Sequence, residues 1–350
     1  MTGQVVHGGL TTEEREAYAR RGIDLLDLSA NLNPYGPLPA VVQAARDARL
    51  NDYPEADAMS LRRQYAAACA LSPDQVLAGN GSTELFYLLA RAFLHPGDRC
   101  VVAAPTFGEY AAAATSTGAE VRDVPCMTPE GTVDPDLLLR AVREDAPRMV
   151  FLCNPNNPTG ALLPGRSVDE LAAAICRTGG RLVVDEAYAA FAYPRDEASS
   201  PGSGRLIVRS LTKEHAIPGL RVGFLLGAPG DIAAVARHQP SWAVGAPAMA
   251  AGQVALEQPG FVRESAERLA ATRSWLVSRL RDAGFTTADT WANFVLVEVG
   301  DGAAFRQRLL GRGFAVRDCA SFGLPRHVRV AVPAEQDAAA LVAAMEEVRE

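Results

Sequence analysis

From about residue 75 the chain alternates short apolar runs with amphipathic stretches, and that rhythm limits the fold more than any other feature. Runs at 75–78, 99–104, 121–124, 149–153, 181–185, 206–209 and 222–227 have the length and β-branched content of strands. Stretches at 83–93, 107–117 and 168–177 carry a helical spacing of apolar residues. Strands joined by helices need crossover connections, which are right-handed and cover both faces of a mostly parallel sheet. After Ile232 a long helical stretch, 260–283, leads into a shorter strand and helix pattern with strands at 294–298, 315–317 and 327–331. The expected fold class is therefore α/β: a three-layer α/β/α large domain with a mostly parallel sheet, plus a small C-terminal α+β domain. Residues 197–204, rich in Ser, Pro and Gly, read as a loop, and no internal repeat is present.

Composition removes several functions. At 350 residues the chain can enclose a large site, and 48% hydrophobic with 21% charged residues is ordinary globular composition. A net charge of −7 argues against a nucleic-acid partner, whose phosphates require clustered cations. Cys69, Cys100, Cys126, Cys153, Cys176 and Cys319 are scattered without a C-x-x-C pair, so neither a metal site nor a thiol redox centre is expected. Met1 to Gln4 open no secretory pattern and no apolar run approaches 18 residues, so no membrane partner and a cytoplasmic setting are expected.

Of 34 Lys and Arg residues, only Lys213 is a lysine. Arg serves wherever a permanent cation suffices, whereas Lys can shed its proton when desolvated and act as an amine nucleophile. Lys213 follows the run Val208-Arg209-Ser210-Leu211-Thr212, and Gly219-Leu220-Arg221-Val222-Gly223 brings an arginine eight residues on. Gly79-Asn80-Gly81-Ser82-Thr83-Glu84 joins a strand to a helix, where free amides and hydroxyls suit an anion such as phosphate; Asn80 or Ser82 as a simple N-cap is the alternative. Asn154-Pro155-Asn156-Asn157-Pro158-Thr159-Gly160 is a turn at the end of another strand, where open α/β sheets bind ligands. Asp185 ends a third apolar strand, where a carboxylate needs a cationic partner or titrates.

These ordered motifs resemble the fold-type I family of pyridoxal-phosphate enzymes, the aspartate aminotransferase superfamily, over nearly the whole chain. The resemblance implies that Lys213 holds pyridoxal 5'-phosphate as an internal aldimine and shuttles the proton at the substrate Cα. It implies that Asp185 pairs with the pyridinium nitrogen, that Asn157 and Tyr188 bond the ring hydroxyl, and that Phe107 stacks on the ring. Gly81, Ser82, Thr83, Ser210 and Arg221 would surround the phosphate, with Tyr53 reaching in from the second subunit of a homodimer. Residues 1–35 would then be an arm crossing that dimer interface, 36–235 the cofactor-binding domain, and 236–350 an interdomain helix and the small domain.

Finer motifs resemble threonine-phosphate decarboxylases of cobamide synthesis: Ser210-Leu211-Thr212-Lys213 with Ala216 to Arg221, His7-Gly8-Gly9, Asp27-Leu28-Ser29-Ala30-Asn31-Leu32-Asn33-Pro34, and Val316-Arg317-Asp318-Cys319. In that branch Arg317 and Arg329 bind the carboxylate and phosphate of an anionic amino-acid substrate, with His7 and Ser29 donated across the dimer. The expected reaction is decarboxylation of threonine phosphate; histidinol-phosphate-type transamination is the nearest alternative. Leu10 and Gly245 depart from polar residues of that pattern, which leaves open a specialised-metabolism enzyme performing β/γ-elimination or replacement, for example on S-adenosylmethionine. A non-catalytic domain of a transcription regulator would carry a basic N-terminal segment; the sheet motifs here begin by about residue 75 with no basic patch before them, so that role is not expected. His95, His215, His238 and His327 read as surface or capping residues, with a site role also open for His215. Trp275 reads as packing, Trp242 is undecided between packing and pocket, and Arg62 and Arg63 read as solvated or intersubunit.

Overall fold

The computed structural model describes residues 5–126, 131–192, 199–202 and 204–349. Met1 to Gln4, and Glu197, Ala198 and Ser203 of the expected loop, lie outside the described residues. The strands in chain order are β1 Leu26–Asp27, β2 Val76–Gly79, β3 Arg99–Ala104, β4 Glu120–Pro125, β5 Met149–Cys153, β6 Arg181–Asp185, β7 Arg205–Ser210, β8 Gly223–Leu226, β9 Thr286–Thr287, β10 Phe294–Glu298, β11 Phe314–Ala315, β12 Arg317–Asp318 and β13 His327–Ala331.

The seven-stranded sheet has the order β2-β8-β7-β6-β5-β3-β4. It is parallel except at β8, which runs antiparallel to β2 and β7. Its central strands are apolar on both faces because both faces are covered. Val183 packs with Leu85, Tyr110 and Ile232 on one side, while its neighbours Leu182 and Val184 pack with Leu138, Leu171 and Ile175 on the other. Farther along this second face, Ile207 and Phe224 meet Leu61, Tyr65 and Ala251. The antiparallel sheet β12-β13-β10-β9 packs its own core against the long helix Pro259–Asp282.

The strand expected at 315–317 breaks at Val316. Its first half, β11, pairs in parallel with β1, and its second half, β12, pairs with β13. The N-terminal segment claims one half, so continuous pairing with β13 cannot extend through it. Residues 12–35 also attach to their own chain: Glu14 bonds Arg306 at 2.5 Å, and Ala331 N–H bonds the Leu28 carbonyl at 2.9 Å. Among the described residues no helix is long and apolar enough to cross a membrane.

Candidate active site

Parallel register aligns the carboxyl ends of the central strands. Cys153 pairs with Asp185, so the turn after β5 and the acid ending β6 share one edge of the sheet. Gly223 in β8 pairs with both Gly79 and Ser210, which carries Arg221 to the glycine turn and to the hydroxyl ending β7. Glycine is required there: a Cβ at Gly223 would stand 2.9 Å from the Ser82 amide nitrogen. Gly81 opens the helix Gly81–Phe93 at φ 77°, and a Cβ added there would meet the Arg221 guanidinium first. Asn80 makes no side-chain cap, so the first amides of that 13-residue helix remain donors for an anion.

These ends open into a cavity of about 600 Å³ lined by Ser82, Thr83, Phe107, Asn157, Asp185, Tyr188, Ser210, Lys213 and Arg221 from the large domain, and by Arg317 and Arg329 from the small one. His7 and Ser29 line the same cavity of their own chain. This corrects the expectation that they are donated across a dimer. The Gly9 amide bonds Ser29 Oγ at 2.8 Å and the Val6 carbonyl accepts from Arg317 at 2.9 Å, which holds residues 5–10 over this chain's cavity.

Lys213 lies at the turn following β7, its Nζ donating to the Ala30 carbonyl at 3.1 Å. Burial, then the charges of Arg329 and Arg221, bring its amine down to about 8. Asp185 is buried, which pushes its carboxyl up to about 6 against hydrogen bonds from the Tyr110 hydroxyl at 2.6 Å and the Ala187 amide at 3.0 Å. Its neighbour Glu186 points away and pairs with Arg209 at 2.9 Å. Tyr188 is buried edge-to-face on Phe294, and Asn31 Nδ2 donates to its hydroxyl at 3.4 Å.

Arg329 is buried and, among the described residues, has no acid partner. Its Nη1 donates to Asn157 Oδ1 and its Nη2 to the Ser29 carbonyl at 2.6 Å, while Nε has no hydrogen-bond partner. Arg317 is also buried, bonded to Ser321 Oγ at 2.6 Å and 3.9 Å from Asp318. A buried guanidinium without a close carboxylate is costly unless a ligand supplies the anion.

Several expected residues stand elsewhere. Tyr53 is 84% exposed, lies tilted against Trp242 with centroids 4.9 Å apart, and does not line the cavity of its own chain. Trp242, at φ 63°, lies outside the cavity with it. Trp275 is not packing but exposed, beneath Arg279. His215 is not on the surface: it is buried near Phe261, and burial lowers its imidazole to about 4. Arg62 is not simply solvated, since its guanidinium bonds the Val76 and Pro73 carbonyls. Sequence reasoning missed Tyr110, Glu109 and Ala30. Only the spacing of Tyr110, three residues past Phe107 at the start of a helix, pointed toward the same face.

The residues present suit a phosphorylated pyridine aldehyde: a cavity-facing amine with a depressed pKa, a buried carboxylate for a ring nitrogen, and a helix N-terminus with Arg221 for the phosphate. Fold and donor set together define a fold-type I pyridoxal-phosphate enzyme. The chain belongs to the family Aminotransferase class I and II, whose model matches residues 23–348. It is 37% identical over 323 residues to a histidinol-phosphate aminotransferase of Symbiobacterium thermophilum, covering 88% of this chain and 86% of that protein. It is 32% identical over 355 residues to histidinol-phosphate aminotransferase 2 of Ralstonia nicotianae, covering 97% and 93%. The histidinol-phosphate aminotransferase of Sinorhizobium meliloti, solved with pyridoxal-5'-phosphate, superposes with a TM-score of 0.85 at 24% identity over 97% of this chain and 95% of that one.

Proposed function

We propose that the protein is a histidinol-phosphate-type aminotransferase, moving an amino group between a phosphorylated amino compound and a keto acid such as 2-oxoglutarate. The observation that carries this reading is the pair of buried arginines, Arg317 and Arg329, sharing one cavity with Lys213 and Asp185. Arg329, with no acid partner among the described residues, and Arg317, whose ion partner Asp318 is 3.9 Å away, suit substrates that present a phosphate in one half-reaction and carboxylates in the other. The names of the relatives support amino transfer better than the decarboxylation expected from the finer motifs.

Pyridoxal phosphate, when bound, supplies an electron sink for charge developing at the substrate Cα. The roles of the chain follow from its placement. Lys213, with its proton affinity lowered by burial, attaches the cofactor and carries the proton at Cα. Asp185 holds the proton of the ring nitrogen. Asn157, whose carbonyl oxygen Arg329 occupies, offers its amide N–H₂ to the ring hydroxyl beside Tyr188. Gly81, Ser82, Thr83, Ser210 and Arg221 take the phosphate, and Phe107 covers the ring. Arg329 clamps a carboxylate, Arg317 takes the distal anion, and His7 and Ser29 close that end. Tyr53, exposed on its own chain, completes the phosphate site of a second copy in a homodimer.

Decarboxylation of threonine phosphate is the second reading, favoured by His7 lining the cavity and by a single substrate that carries both anions. Of the two departures, Leu10 lines the cavity and Gly245 does not, so Leu10 bears on the elimination or replacement reading. The test is incubation of the cofactor-loaded protein with histidinol phosphate plus 2-oxoglutarate, with O-phosphothreonine and with S-adenosylmethionine, products followed by mass spectrometry. Glutamate formation dependent on histidinol phosphate is expected. Aminopropanol phosphate from O-phosphothreonine without glutamate formation would replace this reading with the second, and methylthioadenosine release alone would replace both.

A further inference from the structure

Tyr110 is fully buried in the layer beneath the cavity, on the helix Glu109–Thr115. Its ring is held on three sides: stacked on Phe151 with centroids 5.2 Å apart, and edge-to-face with Phe86 at 4.9 Å and Phe107 at 5.6 Å. Its polar contacts are made by the hydroxyl, which donates to Asp185 Oδ2 at 2.6 Å and also lies within hydrogen-bond reach of the Cys153 thiol. The other oxygen, Oδ1, accepts from the Ala187 amide. A carboxylate has about four acceptor positions, so both oxygens keep capacity for a ring N–H.

We infer that Tyr110 is a positioning residue for Asp185, its caged hydroxyl holding the carboxylate ionised and turned toward the cofactor's ring nitrogen. The inference rests on the proposed role of Asp185. A hydrogen bond to the charged form of an acid stabilises that form, and burial opposes it. Around Asp185 the other titratable groups are Cys153, Glu186, Tyr188 and Lys213. Cys153 and Tyr188 are themselves pushed above their ordinary ranges by burial and stay neutral, and Glu186 is paired with Arg209. Of the side chains, Tyr110 is therefore the close neutral donor to this acid. The same ring packs edge-to-face with Phe107, so one residue touches both the acid that would pair with the ring nitrogen and the aromatic that would cover the ring.

The test is Tyr110→Phe, which keeps the ring in its cage and removes the hydroxyl. The apoprotein's dissociation constant for pyridoxal phosphate is measured between pH 5 and 8.5, in the wild-type and Asp185→Asn backgrounds. A hydrogen bond to a charged group predicts about a ten- to hundredfold weaker affinity near pH 7. It also predicts that the acidic decline in affinity moves up by about one pH unit, because Asp185 loses a donor to its charged form. In the Asp185→Asn background the same change should add little. A lower melting temperature with unchanged affinity and an unmoved acidic decline would reduce Tyr110 to a packing role and overturn the inference. Equal losses in both backgrounds would do the same. Wild-type protein that takes up no pyridoxal phosphate at any pH would overturn the functional reading, and this inference with it. If Tyr110→Phe fails to fold, the acidic decline is compared in Phe86→Leu, which loosens the cage and keeps the hydroxyl: a shift is expected, and none would count against the inference.

Discussion

Arg329→Met is expected to abolish anion recognition while leaving the cofactor site assembled. The guanidinium is buried with Nε unpartnered, and its two other bonds go to the Asn157 and Ser29 oxygens. Its charge is therefore uncompensated until a carboxylate arrives. Removing one partner of a buried, hydrogen-bonded ion pair costs about 3–5 kcal/mol. At about 1.4 kcal/mol per tenfold, that is a loss of roughly two to three and a half powers of ten in affinity for a dicarboxylate. Stability without ligand should change far less, since relief from burying a charge opposes the cost of orphaning two acceptor oxygens at about 1–3 kcal/mol each. The assay is thermal unfolding of the cofactor-loaded protein with and without 2-oxoglutarate. At a hundred times its Kd, such a ligand stabilises by about 2.7 kcal/mol. With the lower bound of the affinity loss, the same concentration leaves about 0.3 kcal/mol in the variant. An equal rise in melting temperature for both proteins would refute the assignment of Arg329 to the substrate carboxylate.

Lys213→Ala and Lys213→Arg should both lose covalent cofactor attachment and the visible colour, because a guanidinium does not deprotonate to serve as an amine; absorbance and intact mass check this. Gly81→Ala should weaken cofactor binding, measured as a dissociation constant, since its φ is 77° and its Cβ would collide with the Arg221 guanidinium. The Lys213 amine is held at about 8 in the folded protein, against 10.5 ordinarily. Between those values the unfolded chain binds more protons, so the cofactor-free protein should gain stability as pH rises from 8 to 10.5. Urea unfolding across that window, compared with Lys213→Met, checks it: the variant should lack this increment.

The parts of the site that follow a strand were legible because a strand's end fixes where the next residues go. Asp185, Ser210, Lys213 and the Asn157 turn each follow an apolar run, and parallel register does the rest. The small domain was legible as strands at β10 and β13 and illegible at Val316, because the partner that breaks the strand there, β1, lies almost 290 residues earlier in the sequence. Long-range pairing of this kind leaves no local trace. His7 and Ser29 illustrate the same limit: their motifs marked them for the site, and only the fold could say whose cavity they enter. Tyr110 was illegible for a different reason. A buried tyrosine in an aromatic layer carries the pattern of core packing, and the role inferred for it rests on one hydroxyl whose acceptor is 75 residues away. What local pattern conveys is where chemistry attaches to the sheet. What it omits is the layer packed behind those groups, where one aromatic side chain, Tyr110, touches both Phe107 and Asp185.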